Sequence, residues 1–277
     1  MTTIDETPTG STDPDVPLRM ELGFDLPGTP EQVWDAIATG NGISAWMLPT
    51  DLEEREGGAV CFHMGETDSA GTVTTWDPPR RLVYEEPGWA ALGGHEGAPV
   101  TPLVSEFVVE PLAGGGCALR VVSSAFGTGA DWERTFIADM ERAWTPSFDT
   151  LRILLTHFPG QRATSLSTDL ATTATPATAV SAMRRALGAD DVGDRLDIRG
   201  TAAVVERVGA DQVLLRLTDP VPGLLTLFAF DTGEGTTLCR VEGALFSDEG
   251  PAYVEREQPV WKAWLEDIAS GRDGGRR

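Results

Sequence analysis

Histidines, carboxylates and aromatic rings are the side chains through which chemistry would run in this chain, and their spacing limits what that chemistry is. The three histidines, His63, His95 and His157, stand far apart. None has the i,i+4 or H-x-x-x-H partner that would put two imidazoles on one helix face, so no metal site is expected. His63 lies in an alternating stretch. If Val60, Phe62 and Met64 face inward there, His63 faces water. No G-x-S-x-G elbow, no G-x-x-x-x-G-K-S/T loop and no G-x-G-x-x-G between a strand and a helix occurs. The usual signals of nucleophilic, nucleotide and dinucleotide chemistry are therefore missing. No catalytic residue and no cofactor is assigned, which leaves enzymatic activity open but unsupported.

Among the acids, Glu53-Glu54 and Glu85-Glu86 are adjacent pairs in strand-like stretches, so their side chains point to opposite faces and read as solvated surface. Glu106 stands between Val104 and Val108 at the same parity. On that pattern it points into a cavity, where burial would raise its pKa and make it a hydrogen-bonding anchor or a general acid. The aromatic inventory is concentrated before residue 160: Trp34, Trp46, Trp76, Trp89, Trp132 and Trp144, with Phe62, Tyr84, Phe107, Phe136 and Phe148. A pocket lined by rings with one or two polar groups is how a protein holds an apolar or aromatic small molecule. The strands would contribute Phe62, Trp76, Tyr84 and Phe107 to it, with Glu106 as the polar group. A long helix would contribute Phe136, Met140, Trp144 and Phe148. Trp46, Trp89 and Trp144 are placed at its mouth and wall, the first two on short-helix or loop positions able to act as a lid.

The elements that must position these residues are legible from period and punctuation. Asp131 to Phe158 reads as one amphipathic helix, with Ile137, Met140, Trp144, Phe148, Leu151, Leu155 and Phe158 recurring every three or four residues. Pro146 removes a helical hydrogen bond and predicts a kink just after Trp144, splitting the segment into two pieces. A stripe of that length needs a wide partner, and several strands precede it. Leu18, Met20, Leu22, Phe24 and Leu26 alternate with polar residues as in a strand with one buried face. Thr29-Pro30 with Gln32 forms a capping box opening a helix to about Ala38, and Ile43–Leu48 reads as a short second helix or turn. Further strands are expected at 50–55, 59–64, 70–76, 81–86, 103–110 and 117–124, separated by Gly57-Gly58, Asp77-Pro78-Pro79, the glycine-rich loop 88–97 and Gly114-Gly115-Gly116.

The stretches TPEQVWDAIATGNGISAWM, EREGGAVCFHM and GTVTTWDPPRRLVYEEP, with the closing AWTPSFDTLRILL, resemble the SRPBCC superfamily, which is START and Bet v 1-like. They are similar in particular to its bacterial members related to the Hsp90 ATPase activator homologue. The resemblance spans Leu18 to Phe158. It implies an α+β helix-grip fold: a curved antiparallel sheet around a long C-terminal helix, with a cavity between them. It also implies a choice of roles. Binding of an apolar or aromatic small molecule without catalysis is the leading one; a co-chaperone-like module with a protein partner and a polyketide-cyclase-like enzyme are the alternatives.

A fainter second copy follows. TPATAVSAMRRALG lies over TPEQVWDAIATG, with Thr175-Pro176 repeating Thr29-Pro30. Strands are expected at 163–170, 195–199, 202–208, 212–218, 224–231 and 236–246, and a closing helix over 251–269. The expected organisation is a disordered acidic tail over 1–17, a first domain over 18–160, a smaller second domain of the same architecture over 161–270, and a flexible tail over 271–277. The second copy is shorter and holds two of the eight tryptophans, which predicts a smaller cavity or none. Hydrophobic residues make up 41% of the 277, enough for real cores, and 21 basic against 43 acidic residues give a net charge of −22. That charge repels phosphate backbones and anionic bilayers, so neither nucleic acid nor membrane is an expected partner. No apolar run reaches the eighteen or so residues of a membrane span, and the acidic N-terminus lacks a signal-peptide core, so a cytoplasmic location is expected. Cys61, Cys117 and Cys239 have neither disulfide-framework nor zinc-motif spacing and are expected as buried free thiols.

Overall fold

The computed structural model describes residues 14–64, 67–210, 212–233 and 235–272. Most of the expected tails, residues 1–13 and 273–277, lies outside these. The chain divides into two compact units, Met1–Gly160 and Gln161–Arg277. In the first, β1 (Val16–Leu26), α1 (Pro30–Ala38) and α2 (Gly40–Ser44) lead into β2 (Thr50–Leu52), β3 (Ala59–His63), β4 (Asp68–Asp77) and β5 (Arg81–Glu86). Then come α3 (Trp89–Leu92), β6 (Leu103–Pro111), β7 (Cys117–Gly127) and α4 (Asp131–His157). The strands form one antiparallel sheet in the order β1-β7-β6-β5-β4-β3-β2. Strand β1 begins at Val16, two residues before the alternation of apolar residues that marks it in the sequence, because Val16 still pairs with Gly127.

Local chemistry accounts for the helix starts. At α1, Thr29 Oγ1 accepts from the Gln32 amide (3.3 Å) and Gln32 Oε1 accepts from the Thr29 amide (2.9 Å), with Pro30 at the first helical position. Thr39 then caps α2 by accepting from the Gly42 amide at 2.9 Å. Position 42 must be glycine: a Cβ there would stand 2.1 Å from the Asp35 carbonyl oxygen. Ala130, at the N-cap of α4, has no side-chain acceptor, and Glu133 supplies the cap instead. Its carboxylate, 1% exposed, accepts from the amides of Thr128, Gly129 and Ala130 and from the Thr128 hydroxyl at 2.8–3.1 Å. Burial alone would raise this carboxyl; the hydrogen bonds outweigh it and hold it below the usual range. The segment with the expected kink runs as one continuous helix through Pro146, with Phe148, Leu151, Leu154 and Leu155 buried just beyond the proline.

The second unit repeats the plan with fewer parts. It runs β8 (Thr164–Thr172), α5 (Pro176–Leu187), β9 (Arg195–Ile198), β10 (Thr201–Val208), β11 (Gln212–Asp219), β12 (Gly223–Gly233), β13 (Thr236–Leu245) and α6 (Gly250–Ala269). Its antiparallel sheet has the order β8-β13-β12-β11-β10-β9, so the first strand again pairs the last. Thr175 caps α5 by accepting from the Thr178 amide, with Pro176 next to it, as Thr29 and Pro30 do for α1. Among the described residues no helix corresponds to α2 or α3. The core between α5, α6 and the sheet is apolar, built on Met183, Val205, Leu215, Leu227, Val241 and Trp261. Each unit is thus a helix-grip α+β fold.

Candidate functional site

The candidate site lies on the face of the first sheet that α4 crosses. Period-two alternation decides which side chains reach it. On β6, Leu103, Ser105, Phe107 and Val109 are buried while Val104, Glu106 and Val108 are half-buried on the other face. On β5, Leu82, Tyr84 and Glu86 share the inner face. Cross-strand pairing sets Tyr84 beside Ser105, Ser105 beside Ser123, and Ser123 beside Met20. A polar row therefore crosses an otherwise apolar surface. Ser105 and Ser123, both fully buried, share a hydrogen bond of 2.8 Å between their hydroxyls. Burial pushes the Tyr84 hydroxyl well above its usual value, and the nearby Glu86 carboxyl pushes in the same direction.

Two acids change places relative to the sequence reading. Glu106 does not face the site. It lies on the outer surface, where Arg81 Nε donates to it at 2.6 Å and Arg120 Nη1 stands 3.7 Å away. Its flanking valines at the same parity belong to that outer face, which is why their apolar character misplaces it. Glu86, expected as solvated surface, is the buried acid: it is 6% exposed and accepts a hydrogen bond from Ser69. Burial raises its carboxyl above the usual range, against the opposing pull of the Ser69 hydroxyl. The signal that could have found it is its shared parity with Leu82 and Tyr84.

Rings form a continuous path over this surface. Phe62 packs on Tyr84 (5.4 Å between centroids), Tyr84 on Phe107 (5.9 Å), Phe107 on Trp144 (6.1 Å) and Trp144 on Phe148 (6.3 Å). Phe148 in turn meets Trp46 at 5.1 Å and Phe24 at 4.1 Å. A second group surrounds Trp89, which contacts Phe136 at 4.9 Å and Trp132 at 5.5 Å within the apolar cluster that includes Met140 and Trp144. Trp76 packs edge-on against Trp34 of α1 instead, at 5.1 Å. Phe24 and Trp132 are the rings that the sequence-based set omits. The two indoles expected to serve as a lid are buried and tethered. Trp46 Nε1 donates to the Ala36 carbonyl and Trp89 Nε1 to the Thr101 carbonyl, each at 2.9 Å, so both act as walls. Along α4 the apolar stripe is fully buried from Phe148 onward but only partly buried at Trp132, Phe136, Met140 and Trp144.

On the opposite face of the same sheet, one group of metal-ligating side chains converges among the described residues: Cys61, His63 and Asp68, their ligand atoms within 4.8 Å of one another. The spacing considered in the sequence was helical, and this arrangement arises across strands.

Residues 27–156 match the family model described as Activator of Hsp90 ATPase homolog 1-like protein. The match takes in most of the first unit and just under half of the chain. The matched span runs from the turn before α1 to the last turn of α4 and includes the rings and acids described above, apart from Phe24. Similar solved structures include a protein from Mesorhizobium loti, 18% identical, covering 51% of this chain and 98% of its own with a TM-score of 0.44. The Aha1 dimer from Colwellia psychrerythraea is 16% identical and covers 50% of this chain and 96% of its own, with a TM-score of 0.40. The di-domain ARO/CYC BexL from the BE-7585A biosynthetic pathway is 14% identical and covers 94% of this chain and 99% of its own, with a TM-score of 0.37. No curated protein matches the chain. No helix among the described residues is long and apolar enough to cross a membrane.

Proposed function

We propose that the first unit holds an apolar or aromatic small molecule between its sheet and the N-terminal half of α4, without itself performing chemistry. The observation that carries this reading is the incomplete burial of one stretch of the helix. Trp132, Phe136, Met140 and Trp144 are only partly buried, with Trp144 packed on Phe107 of the strand that also carries Ser105, whereas Phe148, Leu151 and Leu155 are closed off. Apolar surface left uncovered beside a few fixed polar groups is the chemistry of a small-molecule site. The net charge of −22 favours a neutral or cationic ligand. A titration of the whole protein with the neutral dye Nile red tests it. Saturable binding at one dye per chain is expected, with quenching of tryptophan fluorescence. Trp144→Ala should weaken binding about tenfold, a loss of about 1.4 kcal/mol, the scale of one aromatic contact. Binding that never saturates, or that is indifferent to Trp144→Ala, contradicts the reading.

A second reading rests on Glu86. Its carboxyl is buried and held toward the protonated state beside Ser69, which is the state a general acid needs. Turnover of a bound substrate that is lost in Glu86→Gln while binding is kept would favour catalysis over simple binding.

A further inference from the structure

We propose that the outer face of the β2–β3–β4 edge is a binding site for a divalent first-row transition metal of the zinc class, with Cys61, His63 and Asp68 as its protein ligands and Asp51 as the residue that orients the histidine. The placement follows from strand geometry. Cys61 and His63 are two residues apart on β3 and so project from one face, while Val60 and Phe62 point to the apolar side. Antiparallel pairing then sets Asp68 of β4 directly across from His63, and Asp51 of β2 directly across from Cys61. Four donor side chains from three strands are thereby gathered on one patch.

The distances fit a metal. Cys61 Sγ lies 4.0 Å from His63 Nδ1, and His63 Nδ1 lies 3.1 Å from Asp68 Oδ1. Donors around tetrahedral zinc, with a Zn–S bond of about 2.3 Å and Zn–N or Zn–O bonds near 2.0–2.2 Å, stand about 3.4–3.6 Å apart. The observed separations bracket that value, so rotations of exposed side chains suffice to close the site. Both imidazole nitrogens face carboxylates: His63 Nε2 is 3.0 Å from Asp51 Oδ2 and Nδ1 is 3.1 Å from Asp68 Oδ1. A metal taking Nδ1, the nitrogen turned toward Cys61 and Asp68, would displace the proton there and leave Nε2 donating to Asp51. This is the carboxylate–histidine–metal arrangement that fixes the ring and strengthens the ligand. One thiolate, one imidazole and one carboxylate make a donor set that suits zinc and its neighbours and disfavours magnesium and calcium, which take oxygen. Three protein ligands leave a fourth coordination position, and the half-exposed patch opens it to solvent. Of the three cysteines Cys61 alone is not buried, so it is the thiol that a metal can reach.

The test is metal binding by the full chain after chelator treatment. Equilibrium dialysis should give one zinc per chain, and cobalt(II) in its place should show a thiolate-to-metal charge-transfer band. Cys61→Ala and His63→Ala should abolish zinc uptake at the same concentrations. Asp51→Asn should weaken it about 10- to 100-fold, the effect expected of an outer partner. Metal-free variants should keep the circular dichroism and melting transition of the parent, because the side chains concerned stand at the sheet surface; the cobalt band of the unaltered protein is a readout that no folding defect touches. Absence of zinc uptake, a cobalt spectrum lacking the thiolate band, or a band that survives Cys61→Ala would overturn the proposal and leave the patch as an Asp51–His63–Asp68 ion-pair network.

Discussion

Glu86 and Glu106 show what a one-residue difference in parity does. Both were readable as strand residues, but which face of each strand met the helix was decided by the partner strands, and local apolarity around Glu106 pointed the wrong way. The same limit hid the cluster of Cys61, His63 and Asp68: Asp68 joins it only through cross-strand register, which spacing along the chain does not record. For the rings, the structure gathers Phe62, Tyr84, Phe107, Trp144 and Phe148 into one path and turns Trp76 to Trp34. Glu86 carries a pH prediction. Its carboxyl is raised by burial in the fold, so its neutral form is the one the fold favours. The stability it supports is fully present below the ordinary carboxyl value and is lost as pH rises through the folded-state value. Glu86→Gln, which keeps the shape and a partner for Ser69, should therefore melt higher than the parent at neutral pH. The gap should open at up to about 1.4 kcal/mol per pH unit over that window and vanish in acid. A gap that instead widens on acidification would show Glu86 to be charged in the fold.

At the scale of the element, α4 is the part that the sequence made plainest and the part whose start it did not explain. Its stripe at spacings of three and four identified a helix from Asp131 to Phe158, and the structure ends it one residue earlier, at His157. Its start is unusual, because the cap comes from Glu133 inside the first turn and depends on Gly127 at the end of β7. A Cβ at 127 would stand 2.3 Å from Glu133 Oε2. Alanine at 127 should thus push the carboxylate out of its nest. The sign for Glu133 is opposite to that for Glu86. Its folded-state carboxyl is lowered, so its contribution is present above the ordinary value and is lost as pH falls through the lowered one. Glu133→Gln should cost about 1–3 kcal/mol at pH 7, measured by urea unfolding, with the difference from the parent shrinking in acid; Gly127→Ala should show the same trend. A pH-independent penalty in both would assign the loss to packing alone. The helix continues through Pro146 onto buried Phe148 and Leu151, which hold the following turns against the sheet. The four-residue helix α3 went unread inside its glycine-rich loop, since one turn is too short to show a period.

The whole molecule is two helix-grip units in series, and the first is the larger. The repeat was legible because the Thr-Pro pair before α1 and α5 carries a physical instruction, a side-chain cap followed by a residue that needs no amide partner. What the sequence showed less well is the difference in interior. The first unit places serine hydroxyls, a tyrosine and a protonatable acid among its rings, while the second closes α5 and α6 over an apolar core. Ligand binding is therefore proposed for the first unit only, and the eight tryptophans allow the two units to be watched at once. The most direct measurement is the indole N–H region of a nitrogen–proton NMR spectrum, recorded as Nile red is added to saturation. The signals of Trp144 and Trp132, on the partly covered stretch of α4, are expected to shift, with those of Trp261 and Trp264 in the second unit unchanged. Shifts confined to Trp261 and Trp264, or no indole shift at saturation, would contradict a binding site between the first sheet and α4.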